Sequence, residues 1–209
     1  MKKISDYNLI TDNNEYLEKM EVVLKLSKLF SSGNAAPNLN YRAAENLYCQ
    51  FISGTTDLSR SDIAIDAKTL FYTDNQKRIA GVGIKTFLHG NGKTYQKIAE
   101  FNKDKQMYDS LAPIKKIEKI KELRNKRLDF CVDTHDLTEL YYHCITRSPD
   151  GLIRIYNTPM YYIGKIIKST IKISEASIAF KDQQGEEYTF NLSKSTLYKR
   201  FNYEEVTPV

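Results

Sequence analysis

Hydrophobic residues recur at two different spacings along this chain. From Asn14 to Phe30 they return every three or four positions, which predicts an amphipathic helix. The stretch from Tyr41 to Ile52 has the same spacing and predicts a second helix, which ends at Ser53 and Gly54. We expect the first helix to bury Val22, Leu26, Leu29 and Phe30, with Met20, Val23 and Leu24 beside them. We expect the second helix to bury Ala43, Ala44, Leu47 and Phe51, with Glu45 at the rim of that face.

Between residues 60 and 87 the spacing of apolar residues changes to two, which is typical of strands. The segments "DIAIDAKTLFY" and "RIAGVGIKTF" are separated by "TDNQK" and predict a hairpin with its turn near Asn75 and Gln76. Such a turn places Asp66 almost directly across from Lys85. The face predicted to enter the core carries Ile63, Ile65, Ala67, Val82 and Ile84. The other face carries Asp62, Asp66 and Lys85, and Gly81 and Gly83 would leave a hollow beside these charged groups.

The rest of the chain predicts two more helices and then a β-rich part. The helices are expected over residues 93–111 and 113–128, the second beginning at Pro113. Beyond Asp129, alternating segments are joined by "SPDG" and "DQQGEE", which are typical hairpin turns. The predicted fold class is therefore α+β, with an α/β core over residues 1–128 and an antiparallel β-rich part over residues 129–209.

Composition narrows the class of protein only slightly. The chain has 209 residues, 41% of them hydrophobic, and contains no apolar run near the roughly 18 residues of a membrane helix. Its first residues turn polar at once, so we expect neither a signal peptide nor an anchor, and a cytoplasmic location. The formal charge of +5 permits an anionic partner without requiring one. Cys49, Cys131 and Cys144 match no disulfide or zinc pattern and are interpreted as buried thiols.

The polar face of the hairpin carries the main chemical signal. Carboxylates that converge are suitable ligands for Mg²⁺, which usually binds one or two of them together with water and phosphate. A neighbouring lysine can hold a phosphate or orient the attacking water, so this face predicts metal-assisted hydrolysis of phosphodiesters. A plainer interpretation is a solvated strand face on which Lys85 forms a surface ion pair with the aspartates, worth about 0 to 1 kcal/mol.

At these residues the sequence resembles the PD-(D/E)xK nuclease superfamily, the fold of most Type II restriction endonucleases. The resemblance covers about residues 41–101. In that family an aspartate lies on one strand, an acid-x-lysine triplet lies on the next, and a glutamate often comes from a preceding helix. The resemblance assigns Asp62 or Asp66 as the aspartate, Lys85 in "GIK" as the lysine, and Glu45 as the helix glutamate. It also implies a central mixed sheet flanked by helices.

The triplet departs from the family pattern at Gly83, which stands where an acid is expected. Asp62 and Asp66 on the same face could replace that ligand. A different alignment takes "DAK", residues 66–68, as the triplet, with Asp57 or Asp62 as the earlier acid and Lys68 in place of Lys85. The hairpin alignment is preferred, because the segment from Asp57 to Asp66 leaves almost no room for a turn.

The resemblance implies a Mg²⁺-dependent endodeoxyribonuclease, a hydrolase of restriction-modification type that acts on double-stranded DNA as a homodimer or as the catalytic part of a longer chain. Asp62 and Asp66 would bind the metal, Lys85 would position water or phosphate, and Glu45 would tune the site. Basic and polar residues near the hairpin and in the C-terminal segment "NLSKSTLYKRF" are candidate DNA contacts: His89, Lys93, Lys97, Lys194, Ser195, Lys199 and Arg200. That segment could instead form a short helix with its apolar residues inward. Two alternatives remain open, a noncatalytic nucleic-acid-binding protein and a degenerate nuclease fold.

Overall fold

The computed structural model describes residues 14–29, 36–58, 64–73, 75–88 and 93–202. These residues form two compact units that are interleaved in sequence. The first unit takes its described residues from 1–90 and 131–161, and the second takes them from 91–130 and 162–203. The chain therefore leaves the first unit and returns to it, whereas the sequence predicted two consecutive parts that meet at residue 128.

The first unit contains a five-stranded mixed sheet and two helices that precede its strands in the sequence. Strand order is β1-β2-β3-β5-β6, with β3 parallel to β5 and the other pairs antiparallel. The helices are α1 (Asn14–Leu29) and α2 (Tyr41–Phe51), and the strands are β1 (Thr55–Asp57), β2 (Ala67–Thr73), β3 (Gln76–Leu88), β5 (Glu139–Arg147) and β6 (Ile153–Pro159). Asn40 caps α2, because its side chain accepts a hydrogen bond from the Arg42 backbone N–H.

The second unit is a five-stranded antiparallel sheet whose apolar face packs on its own core. Strand order is β4-β10-β9-β8-β7. The strands are β4 (Lys93–Glu100), β7 (Lys172–Ile173), β8 (Ser177–Lys181), β9 (Glu187–Asn191) and β10 (Thr196–Asn202); short 3-10 helices span Asn102–Met107 and Lys168–Thr170. Helix α3 (Pro113–His135) begins in this unit and ends in the first one. Its Ile117 and Ile120 are fully buried in a cluster with Phe180, Phe190 and Leu197.

The α+β class is confirmed, since helices and two sheets make up the described chain. None of the helices whose residues are described is long and apolar enough to cross a membrane. The β-rich segments beyond Asp129 are confirmed as strands, although β5 and β6 join the mixed sheet. The prediction of a helix over residues 93–111 was wrong, because β4 and a 3-10 helix fill that range. The alternative of a helix in residues 191–201 was also wrong, because the segment spans the turn between β9 and β10.

The first helix was predicted in the right place, and Met20, Val23 and Leu24, predicted beside the buried stripe, do reach the core, but the centre of that stripe was predicted wrongly. Tyr16, Met20 and Leu24 are buried, whereas the predicted core positions Val22, Leu26 and Leu29 are exposed, and Phe30 lies outside the described residues. Both sides of α1 are apolar, so the spacing alone could not choose between them. The second helix follows its prediction, with Ala44 buried and Ala43, Leu47 and Phe51 packed against the core.

The hairpin forms as predicted, but its register is shifted. Thr73 pairs with Gln76 and Ala67 pairs with Val82, so the turn lies one residue earlier than predicted, and Asn75 adopts a φ of 58° there. The Asp66 backbone N–H donates to the carbonyl of Val82 at 2.8 Å. Asp66 therefore stands beside Val82 and Gly83, and the prediction that it faces Lys85 directly was wrong.

Candidate functional site

Asp66 and Lys85 form the centre of the candidate site at the end of the hairpin. Asp66 Oδ2 accepts a 2.7 Å hydrogen bond from the Ile84 backbone N–H and lies 3.6 Å from Lys85 Nζ. The two side chains are each about one quarter exposed, at 25% for Asp66 and 21% for Lys85. Lys85 Nζ also lies 5.9 Å from the centre of the Tyr142 ring on the adjacent strand β5. The carboxylate and the ammonium are thus fixed by the sheet and remain reachable from solvent.

Helix α2 brings a second carboxylate, that of Glu45, to this end of the sheet. Glu45 was predicted at the rim of the buried face but is only 6% exposed. Arg42 Nη1 lies 2.8 Å from Glu45 Oε2, one helical turn away, yet the contact lacks the angles of a hydrogen bond. Glu45 Oε2 is therefore a buried carboxylate oxygen that has a charged neighbour and, among the described residues, no hydrogen-bond donor.

The pKa of Glu45 shows that these acids form one electrostatic group. Burial raises this pKa, and the negative charges of Asp66 and then Asp57 raise it further, while Arg42 and Lys85 lower it. The half-buried thiol of Cys49 is raised to a pKa of about 12, first by burial and then by Asp57, Glu45 and Asp66. Three carboxylates and one lysine thus influence each other at the end of the first unit's sheet.

Asp57 is the site residue that sequence reasoning valued too little. Asp57 was considered only in the alternative alignment. That alignment was set aside because too few residues separate Asp57 from Asp66 for a turn. Strand β1 nevertheless pairs with β2, with Asp57 opposite Ala67, and the Leu58 backbone N–H donates to the Asp66 carbonyl at 2.9 Å. Asp66 contacts Lys85, the lysine of the hairpin alignment, and Lys68, the lysine of the other alignment, lies on β2. Arg42 was missed, although its position three residues before Glu45 on a helix was a usable signal.

The hollow predicted beside Gly81 and Gly83 is filled. A Cβ on Gly81 would lie 2.6 Å from Leu137 Cδ1 and 2.8 Å from Leu140 Cδ2. Ile65, predicted on the opposite face with Val82, also reaches this space, because the chain bends before β2 begins at Ala67. The glycines therefore admit apolar side chains from later in the chain.

Gly83 has no space for the acid that the family pattern expects. A Cβ at this position would lie 2.9 Å from Met160 Cε and 3.0 Å from Tyr142 Cδ1, and Gly83 is itself buried. The close contacts with a packed ring and a thioether explain the glycine at this point of β3. Any second carboxylate of the site must come from another element.

The predicted DNA contacts are spread over several environments. His89 and the side chain of Lys93 lie outside the described residues, as does Asp62, the predicted metal ligand. Lys97 is exposed on β4, 2.7 Å from Glu100, and Lys194 is exposed in the turn before β10.

Ser195 and Lys199 are buried, and Lys199 is paired with Glu186. Arg200 lies 2.7 Å from Glu187 on the opposite face of β10. Their contact with DNA stays a prediction, and burial counts against Ser195 and Lys199.

Within the described ranges, no group of three or more His, Cys, Asp and Glu side chains is arranged to hold a metal ion. Cys131 and Cys144 are buried as predicted, whereas Cys49, also predicted as a buried thiol, is only partly buried. The chain matches no protein-family model, no curated protein and no solved structure. The geometry of the first unit is therefore the main guide to function.

Proposed function

We propose that this chain is a Mg²⁺-dependent endodeoxyribonuclease with a fold of the restriction-endonuclease type. The observation that carries the proposal is the contact between Asp66, just before β2, and Lys85 on β3, together with the electrostatic influence of both on Glu45 of α2. A mixed sheet with a helix glutamate at one end is the arrangement that the resemblance implied. The recognition of double-stranded DNA, the restriction type and the homodimer are parts of the same proposal.

Asp66 and Glu45 fit Mg²⁺ as a pair of carboxylates. Mg²⁺ usually takes one or two protein carboxylates and completes its shell with water and phosphate. Glu45 Oε2 accepts no hydrogen bond from the described residues, and the pKa of Glu45 is raised by burial and then by the charge of Asp66, both of which fit a carboxylate that shares a cation with Asp66. Asp62 is the remaining candidate for the ligand that Gly83 cannot provide. When bound, the metal would stabilise the negative charge that develops on the phosphate.

The other residues would prepare the substrate. Lys85 would bind a nonbridging oxygen of the scissile phosphate or orient the attacking water. Asp66 would keep the Lys85 ammonium in place through the 3.6 Å contact. The Ile84 backbone N–H donates to Asp66 Oδ2 and so helps to hold the carboxylate beside Lys85. Arg42 offsets part of the negative charge that gathers around Glu45.

A degenerate nuclease fold is the second candidate function, and the packing at Gly83 favours it. Met160 and Tyr142 occupy the place of the missing acid, as expected where a family site has lost a ligand. Such a protein would bind nucleic acid or a partner without cutting. Cleavage assays separate the two candidates.

The test is incubation with plasmid and phage DNA, in Mg²⁺ or in chelator, of the parent and the variants Asp66→Asn and Lys85→Ala. We expect Mg²⁺-dependent cutting by the parent and a loss of at least about a hundredfold in each variant, since each removes a group that acts on the transition state. Lys77→Ala, on the same strand as Lys85, and Asp133→Asn, on α3, are controls at exposed positions, and both variants should cut as the parent does. Cutting that survives both site substitutions would remove the site assignment, and binding without cutting by the parent would support the degenerate fold.

A further inference from the structure

The second unit has an open sheet face, and its residues differ from those of an ordinary solvated sheet. Alternation along the strands sends Phe180, Tyr188, Phe190 and Leu197 into the core, which leaves the opposite face to solvent. Two tyrosines lie there, Tyr95 on β4, 42% exposed, and Tyr198 on β10, partly exposed. The basic residues of this open face are Lys97, Lys172, Lys181 and Arg200.

The register makes the two tyrosines neighbours. Tyr198 pairs with Lys97 and Arg200 pairs with Tyr95, so the two tyrosines occupy diagonal positions on adjacent strands, with Cα atoms about 7 to 8 Å apart. This separation is about twice the 3.4 Å rise per nucleotide in one strand of a duplex. Each tyrosine has a cation from the other strand directly opposite.

Small side chains keep the surface next to Tyr198 low. Tyr198 pairs with Thr189 on β9, and Thr189 pairs with Ala179 on β8. A planar aromatic group can therefore stack on the Tyr198 ring without a steric clash with these neighbours. Lys172 follows on β7, opposite Ala179, so the sheet has a cation at each lateral edge.

Two acids pair with cations of this face. Glu100 lies 2.7 Å from Lys97, and Glu187 pairs with two further cations and also accepts from the Tyr95 hydroxyl at 3.4 Å. Glu187 accepts from Lys181 at 2.8 Å and from Arg200 at 2.7 Å, and Arg200 also lies 5.9 Å from the Tyr95 ring. These two bonds lower the pKa of Glu187 to about 2. Glu187 thus holds two cations at one end of the face and offsets one of their charges.

We propose that this face binds a single-stranded nucleic acid, with unpaired bases on Tyr95 and Tyr198 and phosphates on Lys97 and Arg200. Exposed aromatic rings on a sheet stack with unpaired bases, and surrounding cations follow the backbone. Paired bases inside a duplex do not offer their flat sides, so a duplex cannot use the tyrosines. This binding does not depend on the carboxylates of the first unit and holds whether or not the chain cuts DNA.

The experiment is fluorescence anisotropy with labelled 20-nucleotide dT and U strands and a 20-base-pair duplex, in chelator so that nothing is cut. We expect at least one single strand to bind tighter than the duplex. A third strand, of dU, differs from the U strand only in the sugar and identifies the preferred sugar. Tyr95→Ala and Tyr198→Ala should each weaken single-strand binding at least about fivefold, while the Phe substitutions retain it. Tyr72→Ala, which removes a tyrosine that is 66% exposed on β2, is the matched control.

Charge variants provide a second measurement on the same strands. Lys97→Ala and Arg200→Ala should each reduce the slope of log affinity against log salt by about 0.7. Glu187→Gln should tighten binding, because it removes the only acid among the described residues that bonds both Lys181 and Arg200. Preference for the duplex, or unchanged single-strand binding in both tyrosine-to-alanine variants, would overturn the proposal.

Discussion

Met160 Cε occupies the space that a side chain on Gly83 would need, at 2.9 Å from the Cβ position. A residue larger than glycine must therefore displace Met160 Cε, the end of a flexible side chain, and also the Tyr142 ring, whose Cδ1 would lie 3.0 Å from the Cβ. This relationship decides what can be expected of any attempt to restore the missing acid of the family pattern.

We expect Gly83→Ala to lower the free energy of unfolding by about 1 to 3 kcal/mol, through overpacking. Gly83→Asp should lower it further, because the carboxylate would be buried between an apolar thioether and a ring. Urea denaturation measures both changes. In a double-mutant cycle, Met160→Ala should relieve part of the cost of Gly83→Ala, with a coupling of about 0.5 to 3 kcal/mol. Additive effects would show that Met160 does not limit the space at Gly83.

How far the sequence leads can be judged from the hairpin. Its period-2 pattern correctly predicted β2 and β3, the buried Val82 and Ile84, and a contact between Asp66 and Lys85. It could not reveal that Gly81 and Gly83 are covered, because the covering residues, among them Leu137 and Met160, are more than fifty positions later in the chain and come from other elements. Glycines in a strand indicate a close approach without identifying what approaches.

Strand β4 shows the same limit more strongly. Ile98 and Phe101 are three residues apart and both pack on the core, which also fits a helix, and the segment was predicted as one. Its strand conformation depends on pairing with β10, about one hundred residues later. Long-range pairing overrides local spacing in β4. Lys199 is a second case, because its segment also forms a strand and the alternation along β10 places this lysine on the buried face.

The two sides of α1 provide a matched pair of substitutions. Leu24 is 1% exposed and Leu26 is 54% exposed, in the same helix and two residues apart. Leu24→Ala should lower the free energy of unfolding by about 2 to 5 kcal/mol, because it leaves a cavity in the core. Leu26→Ala should change it by less than about 0.5 kcal/mol. Urea denaturation of the two variants side by side is the measurement, and equal losses would place Leu26 in a contact that the fold does not show.

His143 is expected to make the protein less stable in acid. Its Nε2 lies 2.9 Å from the Tyr16 hydroxyl and its Nδ1 lies 2.8 Å from Asn157 Oδ1, in a fully buried position. Burial lowers the pKa of His143 from 6.5 to about 4, against a smaller opposing effect of Asn157. In the unfolded chain the ring takes up its proton near pH 6.5, so stability is lost as the pH falls from about 6.5 to about 4, by about 3 kcal/mol.

The measurement is the free energy of unfolding between pH 7 and pH 4 for the parent and for His143→Gln. The difference between the two curves isolates the histidine from the carboxylates that titrate in the same range. We expect the parent to lose more stability than the variant over this interval. Parallel curves would mean that His143 has the same pKa in the folded protein as in the unfolded chain.

Cys49 can report on the carboxylates beside it without any cleavage assay. Burial and the charges of Asp57, Glu45 and Asp66 raise the pKa of its thiol to about 12, so it should react slowly with a thiol reagent at pH 8. Each unit by which this pKa falls increases the thiolate fraction, and hence the rate, about tenfold. Asp57→Asn should therefore speed the reaction in metal-free buffer.

Mg²⁺ should have the same effect as that substitution if Asp66 and Glu45 bind it, since a cation offsets the charges that suppress the thiolate. Cys131 and Cys144 are buried, so the rate measured on the folded protein belongs to Cys49. Asp66→Asn should raise the rate without metal and remove the response to Mg²⁺, whereas the exposed control Asp133→Asn should leave both unchanged. A rate that rises in Asp57→Asn but ignores Mg²⁺ would separate the electrostatic group, which the structure contains, from the metal site proposed for it.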